Sequence, residues 1–386
     1  MIVGFVALGI TLCSFTYVVI AIVRVRRFAH ELERFERRAD EPALTLLKPI
    51  YQGDPQLLEN LRSCCRQDYP VFQVIFGFRL EDDPAIAVVQ QIMEEFPDHD
   101  LQLVVDPTVI GPNLKVSSLS NMVRHAKYDL LIIADSDMRV PADYLSRVVG
   151  PFADSQVGAV TCVYQGASDN NTYSRLAAMF VNDWFLPSVL VSITLSKLRY
   201  CFGATMAVRR DLFEQIGGFA GLANFLADDY MLGKRIDELG YEIALAPCVV
   251  RNFMAETRLQ DVWQHELRWS RTMRAVEPIG FASAALTDLI PICLISALIT
   301  LFVFGPAVAS GLVVAGVLAR FCLHYTVVRC FSVTPGASAG LVVARDLLTA
   351  CLRLWSYAPG PVVWRGHHFD IDANGHLCPR NDRPDR

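Results

Sequence analysis

Two long charge-free stretches, one near each end of the chain, limit what it can fold into. Ile2–Val23 runs 22 residues without a charge, and Leu289–Ala319 runs 31. About 20 apolar residues suffice for a helix to cross a bilayer, so both stretches predict membrane helices. Arg24, Arg26, Arg27, His30, Arg34, Arg37 and Arg38 follow the first stretch. A basic flank of this kind predicts that it, and what comes after it, faces the cytoplasm. A cleaved leader would carry its charge ahead of the apolar run and a small-residue cleavage site behind it; neither is evident. Gly305-Pro306 divides the second stretch, which reads as a hairpin of Ala284–Phe304 and Pro306–Val328, with Arg329 back on the cytoplasmic side. A third apolar stretch, Gly340–Ala358, carries Arg345, Asp346 and Arg353. Charges at that density predict an interfacial or re-entrant helix in preference to a span.

Between these ends the composition is that of a soluble domain. The 53% hydrophobic fraction and the mean hydropathy of +0.32 reflect the terminal segments. Thirty-five basic against 40 acidic residues, net charge −5, with no Lys/Arg stripe interleaved with aromatics, predict no nucleic-acid partner. The 11 cysteines are odd in number and scattered without a CxxC pair, which argues against a disulfide framework or a zinc site. From about residue 43 to 275, short apolar runs alternate with helical patterns. Ala43–Leu47, Gln73–Phe78, Leu101–Val105, Leu130–Ala134 and Gly158–Val163 read as strands, and Pro55–Arg66 and Pro84–Glu95 as helices. Alternation of this kind predicts a Rossmann-like α/β domain with a parallel sheet and right-handed crossovers. No GxGxxG follows the first strand and no GxxxxGK[ST] occurs, which excludes the common dinucleotide and P-loop sites.

The chemistry is carried by acids placed after strands. Asp135-Ser136-Asp137 follows Leu130–Ala134 directly, at the strand end where open α/β sheets bind ligands. Two hard oxygen donors there suit Mg²⁺ or Mn²⁺ on a diphosphate; the alternative is a turn capping the next helix. Asp83, in Glu81-Asp82-Asp83-Pro84, is placed to meet a nucleotide base or ribose, or else to start a turn. Lys115, after Gly111-Pro112-Asn113, is placed to meet phosphate as a point charge, or to lie in a solvated loop. Gly203, in Phe202-Gly203-Ala204-Thr205, permits close approach of a ligand, or is an ordinary strand glycine. Asp228 and Asp229 open a helix, where acids also suit the helix dipole; the functional reading is a general base for an acceptor hydroxyl. His265, Arg268 and Trp269 share a helix with Arg271 and Arg274, which equally describes an amphipathic helix on an anionic membrane.

Taken in order, Asp83, Asp135-Ser136-Asp137, Asp228-Asp229 and Arg268-Trp269 resemble the D, D, D, (Q/R)xxRW pattern of inverting, membrane-bound processive and lipid glycosyltransferases. His265 stands at the (Q/R) position, with Gln264 one residue out of register. Leu47-Lys48-Pro49, Gln67-Asp68-Tyr69-Pro70, Asp82-Asp83-Pro84-Ala85-Ile86, Lys127-Tyr128-Asp129-Leu130 and Ala227-Asp228-Asp229-Tyr230 are similar to the ceramide glucosyltransferase family. Asp135–Val140, Phe202–Thr205 and His265–Thr272 look closest to bacterial hopanoid-biosynthesis-associated members.

The resemblance implies a GT-A glycosyltransferase domain inserted between one N-terminal transmembrane helix and a C-terminal helical membrane region. The corresponding segments are a transmembrane helix at 1–24, a basic linker at 25–42 and a cytosolic catalytic domain at 43–278. A membrane region at 279–360 and a polar tail at 361–386 follow. It implies a UDP-sugar donor, a membrane lipid acceptor, and Mg²⁺ or Mn²⁺ held by Asp135 and Asp137. Pro49, Asp83, Lys115, Asp135, Ser136, His265, Arg268 and Trp269 would bind the donor. Gly203, Thr205 and Trp269 would lie on the acceptor side, with Asp229, Asp228 and Arg268 catalytic. The closer likeness implies UDP-N-acetylglucosamine and bacteriohopanetetrol at a bacterial inner membrane, catalytic domain inward. UDP-glucose with ceramide is the alternative, a non-catalytic membrane scaffold is an alternative of another class, and a processive polysaccharide synthase would need more spans than three or four apolar segments supply.

Overall fold

The computed structural model describes residues 1–53, 56–168, 171–333, 339–364, 367–372 and 375–380. These form two compact units. One comprises Arg34–Tyr164, Lys197–Phe253 and Asp370–Arg386; the other comprises Met1–Glu33, Gln165–Ser196 and Met254–Phe369. The chain thus leaves the first unit and re-enters it, a division by contact that differs from the contiguous one read from hydropathy.

The first unit is built on an eight-stranded sheet. Its strands are β1 (Leu44–Pro49), β2 (Phe72–Phe78), β3 (Asp100–Val105), β4 (Leu130–Ala134), β5 (Met138–Arg139), β6 (Val157–Ser168), β7 (Thr205–Arg209) and β8 (Glu242–Met254), in the order β3-β2-β1-β4-β7-β6-β8-β5. The first four are parallel: Leu44 of β1 faces Phe72 of β2 and Leu130 of β4. Leu46, Val74, Phe76 and Ile132 bury one face against Leu57, Leu61, Val89 and Ile92 of the helices Leu57–Cys65 and Ile86–Glu95. The start of the first of these helices, as expected at Pro55, lies outside the described residues.

The sheet is mixed, not parallel throughout. β7 runs antiparallel to both β4 and β6, with Ala134 opposite Thr205 and Ala159 opposite Val208. Apolar runs report burial on both faces, and a buried antiparallel strand reads the same as a parallel one. The order reverses between β1 and β4, which makes their carboxyl ends a topological switch point, where open sheets of this class form a crevice.

The second unit is helical. Ile2–Glu33 and Pro306–Phe331 are long and apolar enough to cross a membrane. So is Thr172–Leu195, which lies within the stretch expected to form the cytosolic domain and is mostly buried in the structure. A π-turn, Val181–Phe185, interrupts it and carries Asp183. The first arm of the expected hairpin is broken. Leu289–Phe304 is 16 residues long, about 24 Å at 1.5 Å per residue, and meets Pro278–Thr287 at 66°. Asp288 stands at the break, buried and paired with Arg353 at 2.8 Å. Gly305 turns the chain into the second arm at φ +91, ψ 173, a region essentially reserved for glycine.

The charges of Ala339–Trp355 face inward. Arg345 grips Glu266 through two 2.7 Å bonds, and Asp346 accepts from Arg320 at 2.9 Å. Arg345, Asp346 and Arg353 are all buried, so the charges behind the interfacial or re-entrant reading are paired inside the structure. The partners lie 26 to 79 residues away, beyond the reach of any local pattern. Truncating Arg345→Ala strands the Glu266 carboxylate, a loss expected at about 3–5 kcal/mol, whereas Arg345→Met combined with Glu266→Leu removes both charges and recovers most of it. Unfolding midpoints of the purified protein in detergent measure both; equal losses would mean that the pairing contributes nothing beyond packing.

Candidate active site

Four parallel strands bring their carboxyl ends to one edge, and the loops leaving that edge carry the acids. Asp135 leaves β4 and Asp83 leaves β2, while Lys48 and Pro49 close β1. The remaining groups arrive on the N-terminal turns of two helices, Lys115 on Leu114–Val123 and the Asp228-Asp229 pair on Asp228–Glu238.

Lys115 is the hub. Its Nζ lies 2.6 Å from Asp135 Oδ1 and 3.7 Å from Asp228 Oδ2, with the side chain 12% exposed. A lysine in a first helical turn opposes the helix dipole, so its place depends on these carboxylates. Burial pulls the Lys115 ammonium down, but Asp135 and Asp228 outweigh it and hold the group above its ordinary value. Gly203 brings Asp229 into the same site: a Cβ there would lie 3.2 Å from Asp229 Oδ2 and 3.6 Å from Asp135 Oδ2. Desolvation, then the neighbouring Asp228 carboxylate, pushes Asp229 up to about 6 against the pull of Lys115. Desolvation likewise raises Asp228. The two acids titrate as a pair, and a carboxyl near 6 is suited to take a proton close to neutral pH.

The loop ahead of that pair is held from several sides. Asn113 caps its helix by accepting the Val116 N–H at 3.1 Å, while its Nδ2 donates to the Phe225 carbonyl at 2.8 Å and reaches Asp228 Oδ1 at 3.4 Å. The Asn113 N–H donates to the Ala223 carbonyl and the Leu377 N–H to the Asn224 carbonyl, at 3.0 and 2.8 Å. Gly111 allows this docking, because a Cβ there would meet the Ala223 carbonyl oxygen at 2.7 Å.

Other expected residues fall in varied places. Asp83 is buried and organises loops: Oδ2 accepts the Gln52 N–H and Oδ1 the Ala85 N–H, both at 2.9 Å. Asp137 accepts from Asn252 Nδ2 at 3.3 Å, and the Ser136 carbonyl from Asn60 at 3.4 Å. Thr205 is fully buried, its hydroxyl 3.0 Å from that of Tyr144 and bonded to the Ala204 carbonyl. His265, Arg268 and Trp269 belong to the helix Leu259–Val276 of the other unit. There Glu256 Oε1 sits 2.7 Å from His265 Nδ1, and Trp269 packs between His265 and Phe180. Arg271 donates to the Pro361 carbonyl at 2.6 Å and Arg274 lies over Tyr357, so the chain itself engages both arginines.

Sequence reasoning gave no role to Lys48, which is fully buried and donates to the Asp135 carbonyl at 2.6 Å. A lysine closing a buried strand was the available signal. Asn113 followed Gly-Pro, an N-cap signature; Asn252 had none, since its contact spans 115 residues.

The donor set fits a divalent cation. Among the described residues no group of three or more His, Cys, Asp or Glu converges as a self-sufficient metal site. Two hard carboxylates with an incomplete protein shell are what Mg²⁺ or Mn²⁺ uses when substrate phosphates complete the coordination.

Comparison with known proteins gives this geometry a family. The sequence pattern of Glycosyl transferase family 21 matches residues 6–377. The chain belongs to that family. Ceramide glucosyltransferase 1 of Caenorhabditis elegans is 23% identical over 304 residues, 78% of this chain and 64% of the relative. The family 21 chain therefore spans less than two thirds of that relative's length. Ceramide glucosyltransferase of Komagataella phaffii is 33% identical over 143 residues, 34% of this chain and 28% of the relative. Among solved structures, the mannosyltransferase PcManGT of Pyrobaculum calidifontis, in complex with GDP-Man and Mn²⁺, superposes with a TM-score of 0.51. It shares 21% identity and covers 92% of this chain and 99% of its own. That likeness carries the fold, which is the GT-A-like α/β fold with a mixed sheet.

Gly111→Ala tests the docking of the loop before Asp228. The added methyl forces Ala223 away, and turnover is expected to fall about 10-fold or more, since small misplacements of reacting groups are costly, while unfolding midpoints change little. Unchanged turnover would show that this contact does not position the acids.

Proposed function

We propose that the chain is an inverting glycosyltransferase that moves a sugar from a nucleotide-diphosphate donor to a hydroxyl of a membrane lipid. The observation that carries this reading is the Lys115–Asp135–Asp228 cluster at the switch point, with Asp229, raised to about 6, against Gly203 beside it. Asp229 takes the proton of the acceptor hydroxyl. The acceptor oxygen bonds to the anomeric carbon as the bond from that carbon to the diphosphate oxygen breaks, and the nucleoside diphosphate leaves with the electron pair. One displacement inverts the anomeric centre. Lys115 and Asp83 position the donor. When bound at Asp135 and Asp137, Mg²⁺ or Mn²⁺ supplies neutralising charge to the diphosphate; the Mn²⁺ in the mannosyltransferase of the same fold is in keeping with this.

Two substrate pairs are in play. The residues resembling hopanoid-associated members favour UDP-N-acetylglucosamine with bacteriohopanetetrol, at a bacterial inner membrane with the catalytic unit in the cytoplasm. The curated relatives are ceramide glucosyltransferases and favour UDP-glucose with ceramide equally. UDP release by purified protein, with both donors crossed against both lipids, in Mg²⁺, Mn²⁺ or EDTA, separates them. Metal-dependent release with one pair, abolished by Asp229→Asn, is expected. No release with any pair from folded protein would leave the scaffold reading standing.

The pH profile tests the base. Turnover is expected to fall as pH drops through about 6, where Asp229 takes up a proton, and to be flat above. Lys115 holds Asp229 down and Asp228 pushes it up. Lys115→Met therefore moves the acid limb to higher pH and Asp228→Asn moves it to lower pH. A limb that stays in place in both variants belongs to another group.

A further inference from the structure

The helical unit pairs the arginines it buries and leaves two others on a groove. Arg320, Arg345 and Arg353 each have a carboxylate partner. Arg26 and Arg329 are exposed and form no hydrogen bond or ion pair among the described residues. They line one groove of about 580 Å³ between the helices Ile2–Glu33 and Pro306–Phe331. The rest of its lining is largely apolar, with Ile22 from the first helix and Leu318, Phe321 and Tyr325 from the second. The spacing is helical: Ile22 and Arg26 are i and i+4, while Leu318, Phe321, Tyr325 and Arg329 step along one face. In each helix the arginine follows the apolar lining residues in the chain.

Both helices are long and apolar enough to cross a membrane, so the groove faces lipid wherever they do. An apolar slot ending in two guanidinium groups matches a molecule with hydrocarbon chains and an anionic phosphate. Arginine forks bind phosphate oxygens well, and basic pockets between membrane helices hold anionic head groups. We propose that this groove is a binding site for an anionic phospholipid, its phosphate between Arg26 and Arg329 and its acyl chains along Ile22, Leu318 and Phe321. This lipid is neither donor nor acceptor in the transfer reaction, and the site requires only that the two helices lie in a bilayer.

Native mass spectrometry of the full chain in detergent tests it, with phosphatidylglycerol and phosphatidylcholine of identical acyl chains as probes. At about 1 kcal/mol for each arginine, phosphatidylglycerol should bind about 30-fold more tightly than phosphatidylcholine. Arg26→Gln with Arg329→Gln abolishes that preference, and Arg27→Gln, an exposed arginine outside the groove lining, keeps it. Leu318→Trp fills the groove with both arginines intact and also weakens phosphatidylglycerol, which general attraction to a basic surface would not do. Glycerol phosphate, the head group without chains, competes poorly. Unfolding midpoints show that each variant is folded. Equal retention of both lipids, unchanged preference in the double variant, unchanged binding in Leu318→Trp or full displacement by glycerol phosphate would each overturn the proposal.

Discussion

The ion pair between Lys115 and Asp135 holds the carboxyl edge of the sheet together. Asp135, Asp228 and Asp229 gather within reach of one another, and Asp137 leaves the same strand end. Carboxylates this close would repel in a partly desolvated setting. One lysine, 2.6 Å from the first and 3.7 Å from the second, offsets much of that repulsion without cancelling it. Desolvation first, and then the remaining repulsion from Asp228, raises the Asp229 carboxyl. The same lysine has a cost, since it sits at a helix N-terminus where the dipole disfavours a cation. One balance thus sets the electrostatics of this edge: enough positive charge to assemble the acids, too little to offset the desolvation and repulsion that raise Asp229.

Around that pair the sheet supplies position. Parallel strands point their carboxyl ends the same way, and reversal of strand order between β1 and β4 opens the crevice there. Lys48 fastens the Asp135 carbonyl from the neighbouring strand, and Asp83 ties the loop after β1 to the loop after β2. The geometry carries the argument about chemistry, because a fold of this class hosts many reactions.

The helical unit uses charge differently. Glu266–Arg345, Asp346–Arg320, Asp288–Arg353 and Asp183–His324 are buried pairs linking helices distant in sequence. Pairs of this kind add little net stability, but breaking one is costly. The π-turn at Val181–Phe185 belongs to this pattern, since it carries Asp183 to His324 at 2.9 Å.

What the sequence determined by itself was whatever a local pattern encodes. Leu130–Ala134 was readable as a buried strand because five apolar residues end at an acid, and Asp228–Glu238 as a helix because its acids precede a helical period. The charge-free stretches marked long apolar helices, and the order of acids marked the family. Tertiary structure decided what depends on distant partners. It reversed β7, because hydropathy carries no strand direction. It broke the helix at Asp288 and turned Arg345 inward, because their partners lie 65 and 79 residues away. It also raised Asp229, because a pKa is set by desolvation and neighbouring charge, and neither exists until Asp135, Lys115 and Asp228 meet in three dimensions.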